Sequence, residues 1–276
     1  MSVEGNLKLR LASVALAGAL LALPASAEDD KDPRPAAGIQ DNSFLIEEAY
    51  NQEAGVVQHI NTLRRQGRDW TYSFTQEWPL GSQTHQFSYS IPYLWLRSEG
   101  QRAQGLGDVM LNYRYQALME TATLPAFAPR LSLILPTGNK DIGTGIGSGF
   151  QVNLPFSKIV SDRVTLHFNA GMTRYFNIDG FHPTSFNLGG SVIYAVTRDF
   201  NFMLEGLVER IESVSGGALE RKTLYTLSPG ARYAFNFPDD AQLVVGLAFP
   251  IGFERRNVDY GVFLYVSLEH KFLGKK

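Results

Sequence analysis

The chain has 276 residues, with Lys+Arg 25 against Asp+Glu 27, a formal net charge of -2 and a mean hydropathy of -0.12. It contains no cysteine, which excludes disulfide scaffolds, thiolate metal sites and cysteine nucleophiles, and it lacks the basic excess expected of a nucleic-acid-binding protein. The hydropathy argues against a bundle of transmembrane helices, and the 18 Phe, 12 Tyr and 3 Trp argue against disorder.

Residues 1–27 have the three parts of a secretory signal peptide. Lys8 and Arg10 supply the positive start, residues 11–23 form an apolar run, and Ala25-Ser26-Ala27 is a cleavage site of the A-x-A type. The apolar run is shorter than the roughly 18 residues that a membrane anchor needs. We therefore predict export and cleavage after Ala27.

Residues 28–54 precede the first predicted strand. They are hydrophilic from residue 28 to residue 34 and become apolar and acidic from residue 44 to residue 50. Two hypotheses fit this composition. Phe44-Leu45-Ile46 folds as a short plug into the mouth of a barrel formed by the strands that follow, or the segment is packed or disordered in the periplasm.

Apolar and polar residues then alternate strictly. Within residues 70–78, four of the five even-numbered positions are aromatic and every odd-numbered position is polar. A period of two separates the two sets onto opposite faces of a strand, whereas a helix would mix them. The same pattern predicts ten further strands, near residues 87–95, 109–115, 131–135, 150–156, 164–172, 186–194, 202–208, 225–235, 243–249 and 264–272. A twelfth strand is predicted at residues 55–64, where the alternation is poor.

One apolar face on every strand favours a barrel in lipid over a soluble β-sandwich. We predict an all-β protein: an antiparallel, up-and-down transmembrane β-barrel of about 12 strands over residues 55–272, with 10 or 14 strands as alternatives and residues 273–276 as a tail. Trp70 and Trp78 are about 27 Å apart along a strand, or roughly 20 Å in height after tilting, which is comparable with an outer-membrane apolar band. Trp70, Trp78 and Trp95 are therefore predicted to lie at the membrane interfaces.

The predicted links alternate in length, with both termini on the side of the short ones, as is typical of outer-membrane barrels. Short links are predicted near residues 79–82, 158–162, 197–199 and 236–240, and long ones at 97–104, 137–147, 176–184, 212–221 and 254–259, with 119–129 as an exception. The glycine-rich residues 143–149 lack the Gly-Lys-Ser/Thr of a phosphate-binding loop and precede a strand. They predict an extracellular loop, with an inward-folded constriction as the alternative.

On each predicted strand, the positions that alternate with the apolar ones face the lumen, and several of them carry charged side chains of either sign. They are Glu77, Asp108, Arg114, Arg130, Glu205, Glu209 and Arg232, with Glu269 and Lys271 near the end of the chain. One interpretation is a mixed-charge constriction that selects small solutes. The other is a salt-bridged interior that only fills the barrel, because twelve strands lie between filled 8-stranded barrels and open 16-stranded porins.

Several stretches resemble a family of Gram-negative outer-membrane proteins labelled "transporter" or "putative MetA-pathway of phenol degradation". The resemblance covers residues 43–272 and is carried by Ser43-Phe44-Leu45-Ile46-Glu47-Glu48-Ala49-Tyr50, residues 52–60, Phe74-Thr75-Gln76-Glu77-Trp78-Pro79, residues 105–115 and Leu133-Ile134-Leu135-Pro136-Thr137-Gly138. It implies an outer-membrane barrel for the passage of small compounds, with aromatic ones as candidates, and it supplies no catalytic residues. Phe272 resembles the C-terminal aromatic assembly signal of bacterial outer-membrane proteins, although four residues follow it.

We therefore expect a passive channel or facilitator for small solutes in the Gram-negative outer membrane. It is expected to have no enzymatic activity, cofactor, metal or nucleic-acid partner. The expected partners are outer-membrane lipids, small-molecule solutes and the barrel assembly machinery. A non-conducting structural or surface-interaction barrel is the first alternative. An outer-membrane lipid hydrolase is the second, although the His-x-Ser-Asn-Gly arrangement of the outer-membrane phospholipases is missing.

Overall fold

A computed structural model of the chain describes residues 34–98, 101–238, 240–255 and 257–272. The predicted signal peptide and the tail at 273–276 lie outside these residues. The described strands are β1 (Val56–Gln66), β2 (Asp69–Pro79), β3 (His85–Ser98), β4 (Gln101–Leu106), β5 (Val109–Tyr115), β6 (Ala126–Phe127), β7 (Arg130–Leu135), β8 (Gly149–Ser161), β9 (Val164–Tyr175), β10 (Thr184–Ala195), β11 (Phe200–Ser215), β12 (Ala218–Asn236), β13 (Gln242–Ala248), β14 (Ile251–Glu254) and β15 (Asn257–Lys271). Short 3-10 helices occupy Pro35–Ala37 and Lys140–Ile142.

The strands form one closed antiparallel sheet. β1 pairs with β2 and also with β15, from Val56 opposite Lys271 to Gln66 opposite Gly261, which closes the barrel. Three strands of the barrel are each interrupted and so divided into two pieces. β4 and β5 both pair with β3, β6 and β7 both pair with β8, and β13 and β14 both pair with β12 and β15. When each interrupted strand is counted once, the barrel has the twelve strands predicted. The poorly alternating segment is β1.

The outside of the barrel is apolar and the inside is polar. Along β11, Phe202, Leu204 and Val208 are exposed on the outer face, while Asn201 and Glu205 are buried on the inner face. This arrangement is the reverse of a water-soluble fold and suits a wall that lipid solvates from outside. The described residues contain no helix that is long and apolar enough to cross a membrane.

The two ends of the barrel differ. β1 begins and β15 finishes at the same end, which is the periplasmic end in barrels of this type. At the other end, Gly216 and Gly217 adopt positive φ and connect β11 to β12 in a tight turn.

The predicted long links at 97–104, 212–221 and 254–259 are therefore wrong. Each of these regions consists mainly of paired strand residues that continue the hairpins β3–β4, β11–β12 and β14–β15. Polar residues occupy both faces of these extensions, so the apolar–polar alternation that reveals the membrane-spanning part is lost.

The link between β7 and β8 folds inward at the extracellular end. Ile142 is buried against Leu94 and Leu96, which lie on the inner face of β3. Asp108, in the break between β4 and β5, accepts hydrogen bonds from the backbone N–H of Gly138 at 3.0 Å and of Gly145 at 2.8 Å. The structure therefore shows the inward-folded alternative for this glycine-rich loop.

Candidate functional site

Residues 39–52, here called the lumenal segment, lie inside the barrel. Every residue from 41 to 52 is buried. The chain enters from the periplasmic end, where the backbone N–H of Ala36 donates to the carbonyl of Asp162 at 2.9 Å. It bends at residues 44–46 and returns to the same end to begin β1.

Side chains of the wall satisfy the backbone of the lumenal segment, which forms no strand. A buried N–H without a partner is costly, so an irregular segment in a barrel needs acceptors from its surroundings. Glu205 Oε1 accepts from Leu45 N at 2.6 Å and from Ile46 N at 3.1 Å. Further acceptors are Asn169 Oδ1 for Glu47 N at 2.7 Å, Ser157 Oγ for Ala49 N at 2.8 Å, Gln116 Oε1 for Asn51 N at 2.8 Å and Gln86 Oε1 for Gln52 N at 2.6 Å.

Two arginines bind carbonyl oxygens of the lumenal segment. Arg232 Nη1 donates to the carbonyls of Asp41 and Asn42, the latter at 2.5 Å. Arg114 donates from Nη1 to the Glu48 carbonyl at 3.1 Å and from Nη2 to the Tyr50 carbonyl at 2.5 Å. These arginines therefore hold the two arms of the segment, one before the bend and one after it.

A third arginine forms a buried ion pair with the segment. Arg130 contacts Glu47 through two hydrogen bonds, one of them from Nε to Oε2 at 3.0 Å, and both side chains are at most 2% exposed. Its guanidinium also donates to Asn112 Oδ1 at 3.0 Å and to Gln151 Oε1 at 2.7 Å. The donors of Arg130 are thus shared between the segment and the barrel wall.

Glycines in the wall make room for the apolar tip of the segment. The ring of Phe44 packs 5.5 Å from that of Phe263. A Cβ on Gly246 would lie 2.4 Å from ring atoms of Phe44, and one on Gly189 would lie 2.4 Å from Ile46 Cδ1. The sequence reasoning missed these glycines. The only indication in the sequence is that both glycines fall on inward-facing positions of their strands.

The packing leaves several buried polar atoms without a hydrogen-bond partner among the described residues. They include Glu205 Oε2, Glu77 Oε1 and Arg232 Nε. Burial without a protein hydrogen-bond partner is unfavourable for such atoms. On the segment itself, outside the spanning strands, burial raises the pKa of the Asp41 and Glu48 carboxyls, and the charge of Arg232 opposes the rise in both.

The structure gathers five of the nine predicted lumenal residues around the segment and places the other four elsewhere. The five are Glu77, Arg114, Arg130, Glu205 and Arg232, all of them buried. Glu209 is buried four residues beyond Glu205 on β11, toward the extracellular end. Asp108 is half-buried and binds the inward-folded loop.

The tryptophans predicted for the membrane interfaces and the charged and aromatic residues near the C-terminus lie near the two ends of the barrel. Trp70 is opposite Trp95 in the β2–β3 register, and Trp78 lies at the other end, with its ring 5.5 Å from that of Phe87. Phe272 is 48% exposed, and its backbone N–H donates to the Gly55 carbonyl at 2.9 Å. Near the same end, Glu269 is buried and Lys271 is paired with Asp240 at 2.5 Å.

A cavity of about 1060 Å³ lies at the periplasmic end of the barrel, next to the segment. Its lining includes Arg34, Tyr50, Lys158, Arg198 and Gln242. Because its lining combines residues of the N-terminal stretch with residues of the periplasmic links, it forms a vestibule at the periplasmic end.

One cluster has the residue types of a hydrolase. Ser157 Oγ is 2.7 Å from His167 Nδ1, and the other ring nitrogen of His167 is 3.9 Å from Glu48 Oε2. All three side chains are buried, and Ser157 Oγ already accepts the N–H of Ala49. A substrate could reach this serine only after the lumenal segment had left its place.

The closed wall, the apolar exterior and the polar interior define an outer-membrane β-barrel. The chain belongs to the family described as "Putative MetA-pathway of phenol degradation", whose model matches residues 42–267. The family resemblance seen in the sequence is thereby confirmed.

One solved structure with a TM-score above 0.5 shares the fold, and others are more distantly similar. The chain is similar to the COG4313 outer membrane channel from Pseudomonas putida F1, with a TM-score of 0.61 at 11% identity over 80% of this chain and 97% of that one. It is also similar to the KdgM porin, with a TM-score of 0.47 at 13% identity over 78% and 99%, and to LpxR from Salmonella typhimurium, with a TM-score of 0.46 at 12% identity over 78% and 100%. No curated protein matches the sequence.

Proposed function

We propose that the chain is a passive channel or facilitator for small solutes in the Gram-negative outer membrane, and that the lumenal segment controls whether it conducts. The observation that carries this proposal is the irregular segment held inside a polar lumen by side chains. Residues 41–52 are all buried there. Side chains of the strands alone fill a barrel of about eight strands, whereas this twelve-stranded lumen also holds a separate segment.

The mode of attachment supports a segment that can leave. Its hydrogen bonds to the wall are made by side chains such as Arg114, Arg232 and Glu205, and it pairs with no strand. Departure would let water reach the buried atoms Glu205 Oε2 and Arg232 Nε, which lack partners in the described structure while the segment is docked. The segment would remain tethered through its covalent connection to β1.

The polar lining of the lumen and the family description suggest the solutes. Polar side chains line the wall, which suits small water-soluble compounds. The family description refers to phenol degradation, so phenol-sized aromatic compounds are the first solutes to test. We further propose that the chain is exported with cleavage after Ala27. It would then be inserted by the barrel assembly machinery, with Phe272 as part of the signal, and contact outer-membrane lipids through its exterior.

We infer that the chain is not an enzyme. The support is that Ser157 and His167, the pair that most resembles a catalytic dyad, are buried behind the lumenal segment, and that Ser157 Oγ is occupied by the backbone N–H of Ala49. Hydrolysis of phospholipid by the purified protein, lost in Ser157→Ala, would overturn this inference and favour the hydrolase alternative.

Planar-bilayer recording tests the channel. We expect small or rare currents from the mature chain and larger, persistent currents from a variant lacking residues 28–54. Heat-modifiable migration on an unboiled gel verifies that both proteins are folded barrels. Equal currents from the two proteins would reject the role of the segment. If neither folded and inserted protein carried current, the channel would be rejected in favour of a non-conducting barrel.

A further inference from the structure

Polar side chains cross the outer face of the barrel at the first hairpin. His59 and Asn61 on β1 and Gln76 on β2 occupy outward positions, because their strand neighbours Gln58, Ile60, Thr75 and Glu77 are buried on the inner face. We call His59, Asn61 and Gln76 the polar seam. Elsewhere on the described wall, the outward positions of β5, β7 and β13 carry only aliphatic and aromatic side chains.

The polar seam reaches the middle of the membrane. Asn61 is opposite Phe74, which lies midway between Trp70 and Trp78 on the outer face of β2. The distance along the strand from Phe74 to either tryptophan is about 13 Å, at roughly 3.3 Å per residue. Neither water nor lipid headgroups reach this depth.

Tyrosine hydroxyls donate hydrogen bonds to the side-chain amide oxygens of Asn61 and Gln76, and not to their nitrogens. Tyr72 donates to Asn61 Oδ1 at 2.7 Å, and Tyr89 donates to Gln76 Oε1 at 2.9 Å. The amide N–H groups of Asn61 and Gln76 have no hydrogen-bond partner in the described part of the chain. Acyl chains cannot accept a hydrogen bond, and an unsatisfied polar group in hydrocarbon is costly. The seam therefore requires an acceptor from another protein surface at the same depth.

We propose that the polar seam is the contact between two copies of this chain lying side by side in the membrane. All copies have the same orientation in the outer membrane, so the symmetry axis that pairs two of them is parallel to the membrane normal. Such an axis keeps each residue at the depth of its symmetry mate, and an axis that passes beside Asn61 places Asn61 opposite Asn61. A primary amide carries two donors and an oxygen with two lone pairs, so it is complementary to itself even with one lone pair engaged.

The aromatic surroundings of the seam suit a fixed contact. The rings of Phe74 and Tyr89 meet edge-on at 6.1 Å, and those of Trp78 and Tyr89 at 5.8 Å. Rigid aromatic side chains lose little conformational entropy on association and dominate the energetics of many interfaces. The seam is thus bordered by a preformed apolar surface.

Cysteine cross-linking in native membranes tests the dimer, and the absence of natural cysteine leaves no background. Asn61→Cys should form a covalent dimer on mild oxidation, and a reductant should reverse it. The matched control is Leu133→Cys on β7, an outward position that is 51% exposed and lies outside the seam. It should remain monomeric. Equal cross-linking of the two variants would overturn the proposal.

A second measurement uses the unmodified chain. Native mass spectrometry of the protein extracted in lipid nanodiscs should give the mass of two copies, and Asn61→Leu should shift the population to one copy. Single copies of the unmodified chain would overturn the proposal. In that case Asn61 would serve only as the acceptor for the Tyr72 hydroxyl.

Discussion

The ion pair between Glu47 and Arg130 gives the sharpest perturbation of the lumenal segment. Both side chains are at most 2% exposed. Removing one partner of such a buried pair costs about 3–5 kcal/mol, because the remaining charge is left uncompensated. Glu47→Gln should therefore lower the ratio of docked to undocked segment by roughly 100-fold or more, since each 1.4 kcal/mol is about tenfold.

Thiol labelling can measure this ratio directly. Ser43 is buried within the segment, and the chain has no cysteine, so Ser43→Cys introduces a single reporter. A water-soluble thiol reagent reaches the reporter only when the segment opens, and its labelling rate then follows the open population. Adding Glu47→Gln should accelerate labelling by about two orders of magnitude if opening is the limiting equilibrium.

A surface ion pair provides the control. Arg221 pairs with Glu212 at 2.7 Å near the extracellular end, but its side chain is 59% exposed. Exposed pairs contribute about 0–1 kcal/mol, so Arg221→Gln should leave the labelling rate within a few-fold of the parent. If Glu47→Gln, shown to be folded by heat-modifiable migration, labels no faster than this control, the ion pair does not hold the segment in place.

Three further changes test other parts of the structure. Gly246→Ala should displace Phe44 at a cost of about 1–3 kcal/mol and so increase channel opening. Gly206→Ala should not, because no atom lies within 4 Å of the added Cβ. Bilayer recordings compare the two variants. Leu204→Arg places a charge on the outer face and should lower the free energy of unfolding by up to about 2–4 kcal/mol, as measured by urea denaturation in vesicles; no change would argue against lipid at this face. The intact mass of protein purified from outer membranes should match a chain that begins at residue 28, and a retained leader would contradict the predicted cleavage after Ala27.

Alternation was sufficient to predict the barrel, because a period of two follows directly from strand geometry. It also indicated which side chains face inward, so Arg114, Arg130 and Arg232 could be proposed for the lumen before any coordinates were known. The hairpin extensions at the extracellular end were missed for the opposite reason. Beyond the membrane both faces of a strand contact water, and no alternation is required.

The partners of the inward side chains could not be read from the sequence. The sequence suggested a salt-bridged interior, but Arg232 and Arg114 instead donate to carbonyls of the lumenal segment. That segment is irregular, so no sequence periodicity predicts its path through the lumen. Its contacts join residues far apart in the chain, such as Leu45 and Glu205, and depend on the closed barrel.

Tethering the lumenal segment tests the central claim most directly. Ser43 Oγ and Ser191 Oγ are 2.5 Å apart, so Ser43→Cys with Ser191→Cys should form a disulfide between the segment and the wall. In planar bilayers we expect the oxidised double variant to lose even the small or rare currents of the parent chain and to regain them after a reductant is added, with Ser43→Cys alone unaffected by either treatment. Currents that are the same before and after reduction of a verified disulfide would contradict the account.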